Sequence, residues 1–231
     1  MKRFYKEVTA EPVETGWQVK LDGRGIRTAG KCRQHVPSRA LAEEMAAEWA
    51  CQGEEIDASR FVLRDMADYA IDVIAPAREA AIRELLPYGE TDTLCYRAEE
   101  SDALLRRQIE VWEPLLRAAE ARWDVHFERA SGIIHRPQPE ATLARLQTVL
   151  DAENAFTLAA LKSLASLAAS LVVALTAIAP EADAEVLWNA ANLEEDWQAE
   201  LWGKDAEAEA LRARRFRDFS AAMRFAELVR V

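Results

Sequence analysis

The feature that most constrains this fold is an apolar run from Leu158 to Ala179, which extends for 22 residues with Lys162 as its only charged side chain. A helix of that length can cross about 30 Å of hydrocarbon, so the run could form a membrane span or a buried helix. Its flanks carry Asp and Glu rather than the Lys and Arg clusters that orient inserted helices. Serine and alanine recur within it at helical spacing, which suits close packing against another helix. We therefore expect one long buried helix and no membrane insertion.

The rest of the chain changes character near Ser38. Residues 4–36 read as short alternating strands with turn residues in DGRG, and the later segments show helical periodicity and caps. The pattern predicts an α+β, mainly helical fold: a small β-rich α/β domain over residues 1–88, followed by an orthogonal-type helical bundle over 89–231. We expect helices over 38–53, 59–74, 76–87, 101–123 (kinked or split at Pro114), 139–150, 158–179, 181–202 and 205–229, and a short hairpin or loop over 125–134.

Charge and cysteine content exclude several classes of protein. The chain has 29 Lys and Arg against 40 Asp and Glu, a net charge of −11, which repels phosphate backbones and anionic lipid. Nucleic acid is therefore not an expected partner. Cys32, Cys51 and Cys95 are odd in number and form no C-x-x-C pair, which favours reduced thiols in an intracellular protein over a disulfide framework.

Catalytic and metal-binding patterns are scarce. The sequence contains no phosphate-binding loop, no G-x-S-x-G elbow and no complete dinucleotide fingerprint. None of His35, His126 and His135 has a second ligand at metal-type spacing. We therefore predict no metal, no cofactor and no catalytic residues. Paired acids are abundant, however, so an acid/base enzyme stays open as an alternative.

The stretch LEEDWQAELW near the carboxyl terminus is the most distinctive candidate site. On a continuous helix Trp188, Glu195 and Trp202 are seven residues apart and share one stripe. Asn192 and Gln198 lie three residues either side of Glu195 and add amide groups beside its carboxylate. Tryptophan is enriched at the energetic centres of protein interfaces. The stripe therefore predicts a partner-binding face.

A second row on the same predicted helix favours the protein's own core. Leu193, Trp197 and Leu201 follow one another at four-residue spacing, and Gly203 ends the helix. An alternative reading is that Trp188 and Trp202 pack on neighbouring helices and that Glu195 makes an internal hydrogen bond. The sequence alone leaves the two readings open.

Five stretches, in this order along the chain, resemble the ATP-twelve chaperone family, also called ATP synthase assembly factor 2. They are RFYKEV (3–8), LDGRGIRTAGK (21–31), VPSRALAEEMAAEWACQ (36–52), YGETDTLCYRAEESDALLRRQIEVWEPLL (88–116) and LEEDWQAELWG (193–203). One departure is Ala29, where the family pattern has proline, which bears on the local turn geometry.

The resemblance implies an assembly chaperone with no enzymatic activity and no small-molecule substrate. Its partner would be the free α subunit of the F-type ATP synthase, protected from aggregation until the β subunit takes its place. The family's two-domain organisation agrees with the change of pattern described above. The amino terminus shows neither a signal peptide nor a transit peptide, so we expect the bacterial cytosol, or the mitochondrial matrix if a transit peptide has been removed.

By the resemblance, the family's binding residues correspond to two motifs of this chain. The first consists of Glu194, Glu195, Trp197, Gln198, Trp202 and Gly203, and the second of Thr91, Asp92, Cys95, Tyr96 and Arg97. Two other classes of function remain: an enzyme that uses Asp92, Tyr96, Arg97 and Glu195 around an acidic interdomain cleft, and a permanent structural subunit of the synthase.

Overall fold

A computed structural model describes residues 1–99, 101–132 and 135–230. These residues form two compact units. Unit 1 contains residues 1–78, 154–160 and the last turns of the chain from Arg224, and unit 2 contains residues 79–153 and 161–223. The domain boundary that the sequence places after residue 88 concerns independent folding and stays a prediction.

Unit 1 begins with a small antiparallel sheet. Its first two strands pair from Val8 opposite Leu21 to Val13 opposite Gly16, and the third strand pairs Arg24 with Leu21. The strand-rich character predicted for residues 4–36 is confirmed. The regular elements here are β1 (Val8–Val13), β2 (Gly16–Leu21), β3 (Arg24–Gly25), α1 (Arg39–Ala50) and α2 (Val62–Tyr69), which continues as a π turn (Ala70–Ile74) and a 3₁₀ turn (Ala75–Ala77).

The first helix of unit 1 starts where the sequence predicts. The Ser38 hydroxyl accepts a hydrogen bond from the Leu41 amide at 3.0 Å, which satisfies one of the free amides of the first turn. Leu41, Met45 and Trp49 are buried on one face of α1. The same Ser38 hydroxyl donates to the carbonyl of Leu228, so this cap also contacts the end of the chain.

The elements that follow are helical except for two short strands. In chain order they are α3 (Arg78–Leu85), α4 (Pro87–Glu90), β4 (Tyr96–Arg97), α5 (Ala103–Trp123), β5 (Ala130–Ser131), α6 (Glu140–Asp151), α7 (Ala155–Ala168), α8 (Leu171–Ala177), α9 (Ala184–Ala191), α10 (Leu193–Trp202) and α11 (Ala206–Arg230). The mainly helical α+β class is therefore confirmed. Within segment 125–134 the hairpin alternative is wrong and the loop alternative is confirmed for residues 125–129, because the only strand in its described part is β5, which pairs in parallel with β4. Residues 133 and 134 lie outside the described residues.

Of the kink or split predicted at Pro114, the split is wrong, because α5 is one helix from residue 103 to 123; the kink stays a prediction. Proline removes one helical hydrogen bond. Trp112 and Leu116, on either side of it, are fully buried, and the Trp112 indole donates to the Ala190 carbonyl at 2.7 Å. Packing on both sides of Pro114 therefore holds the helix together.

The single buried helix predicted over 158–179 is also wrong, although the burial is confirmed. The run is divided between α7 and α8 at Ala169, which has a φ of 47°, and at Ser170, which is extended. The Ser170 hydroxyl accepts from the Val173 amide at 3.0 Å, so the break is capped. No helix in the described part of the chain is long and apolar enough to cross a bilayer.

The helix predicted over 181–202 is likewise two helices, α9 and α10, which meet at Asn192. The Asn192 side-chain amide donates to the Trp188 carbonyl at 2.8 Å. The Asn192 backbone amide donates to the same carbonyl at 3.0 Å, so the side chain adds a local bond at the end of α9, of the kind that competes with continued helix. The helix predicted over 205–229 is confirmed as α11, and its Phe219 side chain is fully buried.

Candidate functional site

Helix α10, which carries the LEEDWQAELW motif, is attached to α5 by three side-chain contacts. The buried Gln108 amide donates to the Glu194 carboxylate at 2.7 Å. The Arg107 guanidinium donates to both carboxylate oxygens of Glu200, at 2.6 and 2.9 Å. It also lies over the Trp197 ring, 5.8 Å from the ring centre. Glu194, Trp197 and Glu200 therefore fix α10 on the α5 side.

A second set of contacts attaches α10 to α11. The Arg212 guanidinium pairs with the Asp196 carboxylate, one bond measuring 2.9 Å. The same guanidinium donates to the Asn189 amide oxygen at 3.3 Å. Because it is held on two sides, α10 presents its remaining face in a defined orientation.

The free face of α10 ends in an unusually exposed tryptophan. Trp202 is 78% exposed, and Leu211 of α11 is 56% exposed. Glu195, Gln198, Trp202 and Gly203 line a shallow groove of about 410 Å³ together with Leu211 and neighbouring residues of α11. We call Glu195, Gln198, Trp202, Gly203 and Leu211 the Trp202 surface.

Polar groups of the Trp202 surface are not used internally. Glu195 and Gln198 have no side-chain hydrogen bond or ion pair within the part of the chain that the structure describes. Gly203 has a φ of 91°, a conformation that glycine adopts without strain, and it ends α10 directly after the exposed indole. The surface thus combines an unpaired carboxylate, an amide and an exposed aromatic ring.

The prediction that Trp188, Glu195 and Trp202 share one face is wrong. The helix is interrupted at Asn192, so seven-residue spacing no longer places Trp188 on the same side as the other two. Trp188 is buried, with its ring centre 5.5 Å from that of Phe219. Asn192 is buried as well. Both side chains serve the interior of unit 2, and we leave them out of the Trp202 surface.

The predicted core row on this helix is also largely wrong. Leu193 is buried, but Trp197 is half-buried and Leu201 is 58% exposed. The inward row stops after one residue because α10 is held mainly by the polar contacts of Glu194, Asp196 and Glu200. An amphipathic pattern does not reveal a helix held in this way.

The second motif centres on a fully buried carboxylate. One oxygen of Asp92 accepts from the Leu94 amide at 3.0 Å, and the other accepts from the Val172 amide at 2.9 Å. Burial raises the pKa of Asp92 to about 6, against the lowering effect of these hydrogen bonds. Asp92 therefore caps the first turn of α8 from a distant part of the chain.

The other members of the second motif are also engaged internally. Arg97 is buried, its guanidinium lies 5.0 Å from the centre of the Trp112 ring, and it donates to the Leu94 carbonyl. Burial lowers the pKa of Arg97. The half-buried Tyr96 hydroxyl is hydrogen-bonded to His135 Nδ1 at 2.9 Å. These side chains stabilise unit 2 and contribute nothing to the Trp202 surface.

Sequence reasoning missed the residues that support the surface. Gln108 and Arg107 contact α10 from 86 and 93 residues away, and no local pattern signals pairs so distant along the chain. Leu211 lies on the exposed side of a highly charged helix, where a single leucine forms no apolar pattern that would indicate a site.

Among the described residues there is no group of His, Cys, Asp or Glu that could hold a metal ion.

Comparisons with known proteins identify the family of the chain. The model of the ATP12 chaperone protein family matches residues 2–120, more than half of the 231 residues. Protein atp12, mitochondrial, of Schizosaccharomyces pombe is 26% identical over 215 residues, which cover 87% of this chain and 74% of that protein.

Solved structures agree over nearly the whole length. The crystal structure of Atp12 from Paracoccus denitrificans is 36% identical, covers 99% of this chain and 98% of its own, and has a TM-score of 0.94. A mutant of the same protein, also 36% identical, matches with a TM-score of 0.95, covering 99% of this chain and 97% of its own. By sequence and structure together, the chain belongs to the ATP12 chaperone family.

Proposed function

We propose that this chaperone binds the free α subunit of the F-type ATP synthase, prevents its aggregation and hands it over to the β subunit during assembly of the catalytic head. Membership of the ATP12 chaperone family supports the chaperone role. The choice of the synthase α subunit follows from the family resemblance of the sequence. We propose the bacterial cytosol or the mitochondrial matrix as the compartment, in keeping with relatives from a bacterium and from a mitochondrion.

The observation that carries the proposal is the exposure of Trp202 beside an unpaired Glu195. A tryptophan buries a large apolar area when it enters a pocket of a partner, and such residues dominate the energetics of many interfaces. The adjacent carboxylate and amide give the contact direction, because they can accept and donate hydrogen bonds to the partner's backbone or to a basic side chain. The Trp202 surface is thus suited to an apolar pocket with a hydrogen-bond donor at its edge.

Two-sided attachment of α10 supports the same role. A surface that is already ordered loses less conformational entropy on binding than a mobile one. The contacts of Gln108, Arg107 and Arg212 hold the helix before any partner arrives.

Chaperoning in this form requires no nucleotide cycle. A free subunit of an oligomer exposes an apolar interface that self-associates. A binder that covers this interface lowers the concentration of the exposed form by mass action. Release then follows when the β subunit competes for the same interface with higher affinity. Of the two carboxylates that the enzyme alternative would use, Asp92 is sealed in the interior as a helix cap and Glu195 is exposed.

Co-expression with the synthase α subunit alone tests the proposal. We expect a soluble complex of the two chains. When the β subunit is added, this complex should dissociate, and α should be recovered in complex with β. Size-exclusion chromatography of the mixture before and after addition measures both steps. Aggregation of α in spite of the chaperone would contradict the binding step. A stable three-chain complex would contradict the hand-over.

A further inference from the structure

The charge of the chain is unevenly distributed. Residues 1–36 contain eight Lys and Arg against four Asp and Glu, although the whole chain has 29 against 40. Positive charge is therefore concentrated in the sheet and its loops, in a protein that is otherwise strongly acidic. The stretch LDGRGIRTAGK, which the proposed function does not use, supplies much of it.

Some of these cations meet at a groove within unit 1. The groove has a volume of about 520 Å³, and its polar lining consists of one carboxylate, Glu14, and of Thr15, Gln18, Arg27, Arg33 and His35. We call the latter five residues the basic groove. The Thr15 hydroxyl is hydrogen-bonded to His35 Nδ1 at 2.8 Å, and the Gln18 side chain donates to the Ile26 carbonyl at 3.1 Å. Hydrogen bonds within the protein therefore hold the Thr15, His35 and Gln18 side chains in place in the groove wall.

Two aspartates of the α2 region hold the loop that carries the cations. The Asp72 carboxylate accepts from the Thr28 hydroxyl and from the Gly30 amide, each at 2.7 Å. The Asp68 carboxylate accepts from the Ala29 amide at 3.0 Å and from the Gln34 side chain. A Cβ atom on Gly30 would lie 2.7 Å from the Asp72 carboxylate, so glycine permits this close approach. The loop is therefore ordered before any ligand binds.

Three nearby aspartates are engaged elsewhere, and Glu14, which also lines the groove, forms no ion pair with these cations within the described residues. Asp72 and Asp68 bind the loop itself, and Asp22 accepts from the backbone amides of residues 6 and 7 at 3.0 and 2.8 Å. Lys31 and Arg33 are exposed, and their side chains have no hydrogen bond or ion pair within the described ranges 1–99, 101–132 and 135–230. An unpaired pair of cations on an ordered loop is a site prepared for negative charge.

We propose that the basic groove is a second docking site, which binds an acidic polypeptide segment through its carboxylate side chains. Arg33, which lines the groove, has the planar guanidinium that binds a carboxylate with two parallel hydrogen bonds. Lys31 lies outside the lining, two residues from Arg33, and adds a second charge on the same loop. A polypeptide fits better than nucleic acid or an anionic membrane, because the net charge of −11 repels extended phosphate surfaces as they approach. A short acidic segment places its negative charge at the groove alone, so the acidic remainder of the protein repels it less. The inference does not depend on the identity of the client.

Titration with a fluorescein-labelled oligoglutamate peptide tests the site. We expect the wild-type chain to bind the peptide at low ionic strength. The double variant Lys31→Gln/Arg33→Gln should weaken binding about fivefold, the effect expected for loss of two exposed ion pairs. Glu14 also lines the groove, and Glu14→Gln should tighten binding because it removes a repelling carboxylate.

The matched control is Arg106→Gln/Arg136→Gln, which removes the same charge from two exposed positions in unit 2. It should change the affinity by less than about twofold. Arg33→Gln alone keeps the test valid if the double variant unfolds, since the Arg33 side chain has no hydrogen bond or ion pair within the described part of the chain. Equal weakening by both double variants, tighter binding of a single-stranded DNA oligonucleotide, or no peptide binding by the wild-type chain would each overturn the proposal. None of these results bears on capture of the synthase α subunit, which is measured separately.

Discussion

The two family-like motifs of this chain each contain one prominent carboxylate, and the structure places them in opposite environments. Asp92 is fully buried and accepts hydrogen bonds from the Leu94 and Val172 amides. Glu195 is exposed next to Trp202, with no side-chain partner among the described residues. The sequence presents both as acids within a motif. The comparison shows that the fold uses the carboxylate of Asp92 and leaves that of Glu195 free.

Replacing the buried acid should have the largest effect. Asp92→Ala leaves the Val172 and Leu94 amides without acceptors and removes the cap from α8. We expect the free energy of unfolding to fall by about 4 kcal/mol, measured by denaturant unfolding. A fall no larger than that caused by Glu195→Ala would erase the distinction between the two carboxylates.

The pH dependence of stability should show the same buried group. The pKa of Asp92 is raised to about 6 by burial, above the value near 4 of an unfolded aspartate. Between these values the folded protein keeps a proton that the unfolded chain has lost. The stability contributed by the protonated acid is therefore complete below about pH 4 and is lost as the pH rises through about 6.

Comparison with Asp92→Asn isolates this contribution, because other titrating groups are common to both proteins. The free energy of unfolding of the wild type, relative to the variant, should fall by about 3 kcal/mol between about pH 4 and about pH 7. Denaturant unfolding of both proteins across this range provides the measurement. A relative stability that rises with pH would mean that the fold lowers the pKa of Asp92.

The exposed aromatic ring should affect binding and leave stability unchanged. Trp202→Ala should weaken capture of the synthase α subunit by about 2 kcal/mol, or about 30-fold. A suitable control is Val186→Ala, which truncates a side chain that is 59% exposed on α9 and lies outside the Trp202 surface. Isothermal titration with α gives the affinities. Equal losses from both variants would show that Trp202 has no special part in binding.

Weakening the attachment of α10 to α5 should lower stability less than Asp92→Ala does. Gln108→Leu keeps the volume of the buried side chain but removes its hydrogen bond to Glu194. It also removes the acceptor for the Ala98 amide, at 2.7 Å in the wild type. We expect the free energy of unfolding to fall by about 1.5 kcal/mol and amide exchange in α10 to accelerate. Unchanged exchange would show that this bond does not hold the helix.

Sequence periodicity located most helices because their apolar faces repeat locally, as Leu41, Met45 and Trp49 do in α1. It missed the breaks at Ser170 and Asn192. The first is stabilised in part by Asp92, which lies 80 residues from Val172 along the chain, and a local pattern carries no record of such a partner. The same limit applies to the site. Composition singled out the residues around Trp202, but whether they face outward depends on Gln108, Arg107 and Arg212.

The most direct test of the account is to measure, on Glu195→Ala, both the affinity for the synthase α subunit and the midpoint of thermal unfolding. We predict that the affinity falls about tenfold, the effect expected for loss of a charge-assisted hydrogen bond to the partner, and that the midpoint is unchanged. A lowered midpoint with intact affinity would contradict the account, because Glu195 would then serve the protein's own fold as Asp92 does.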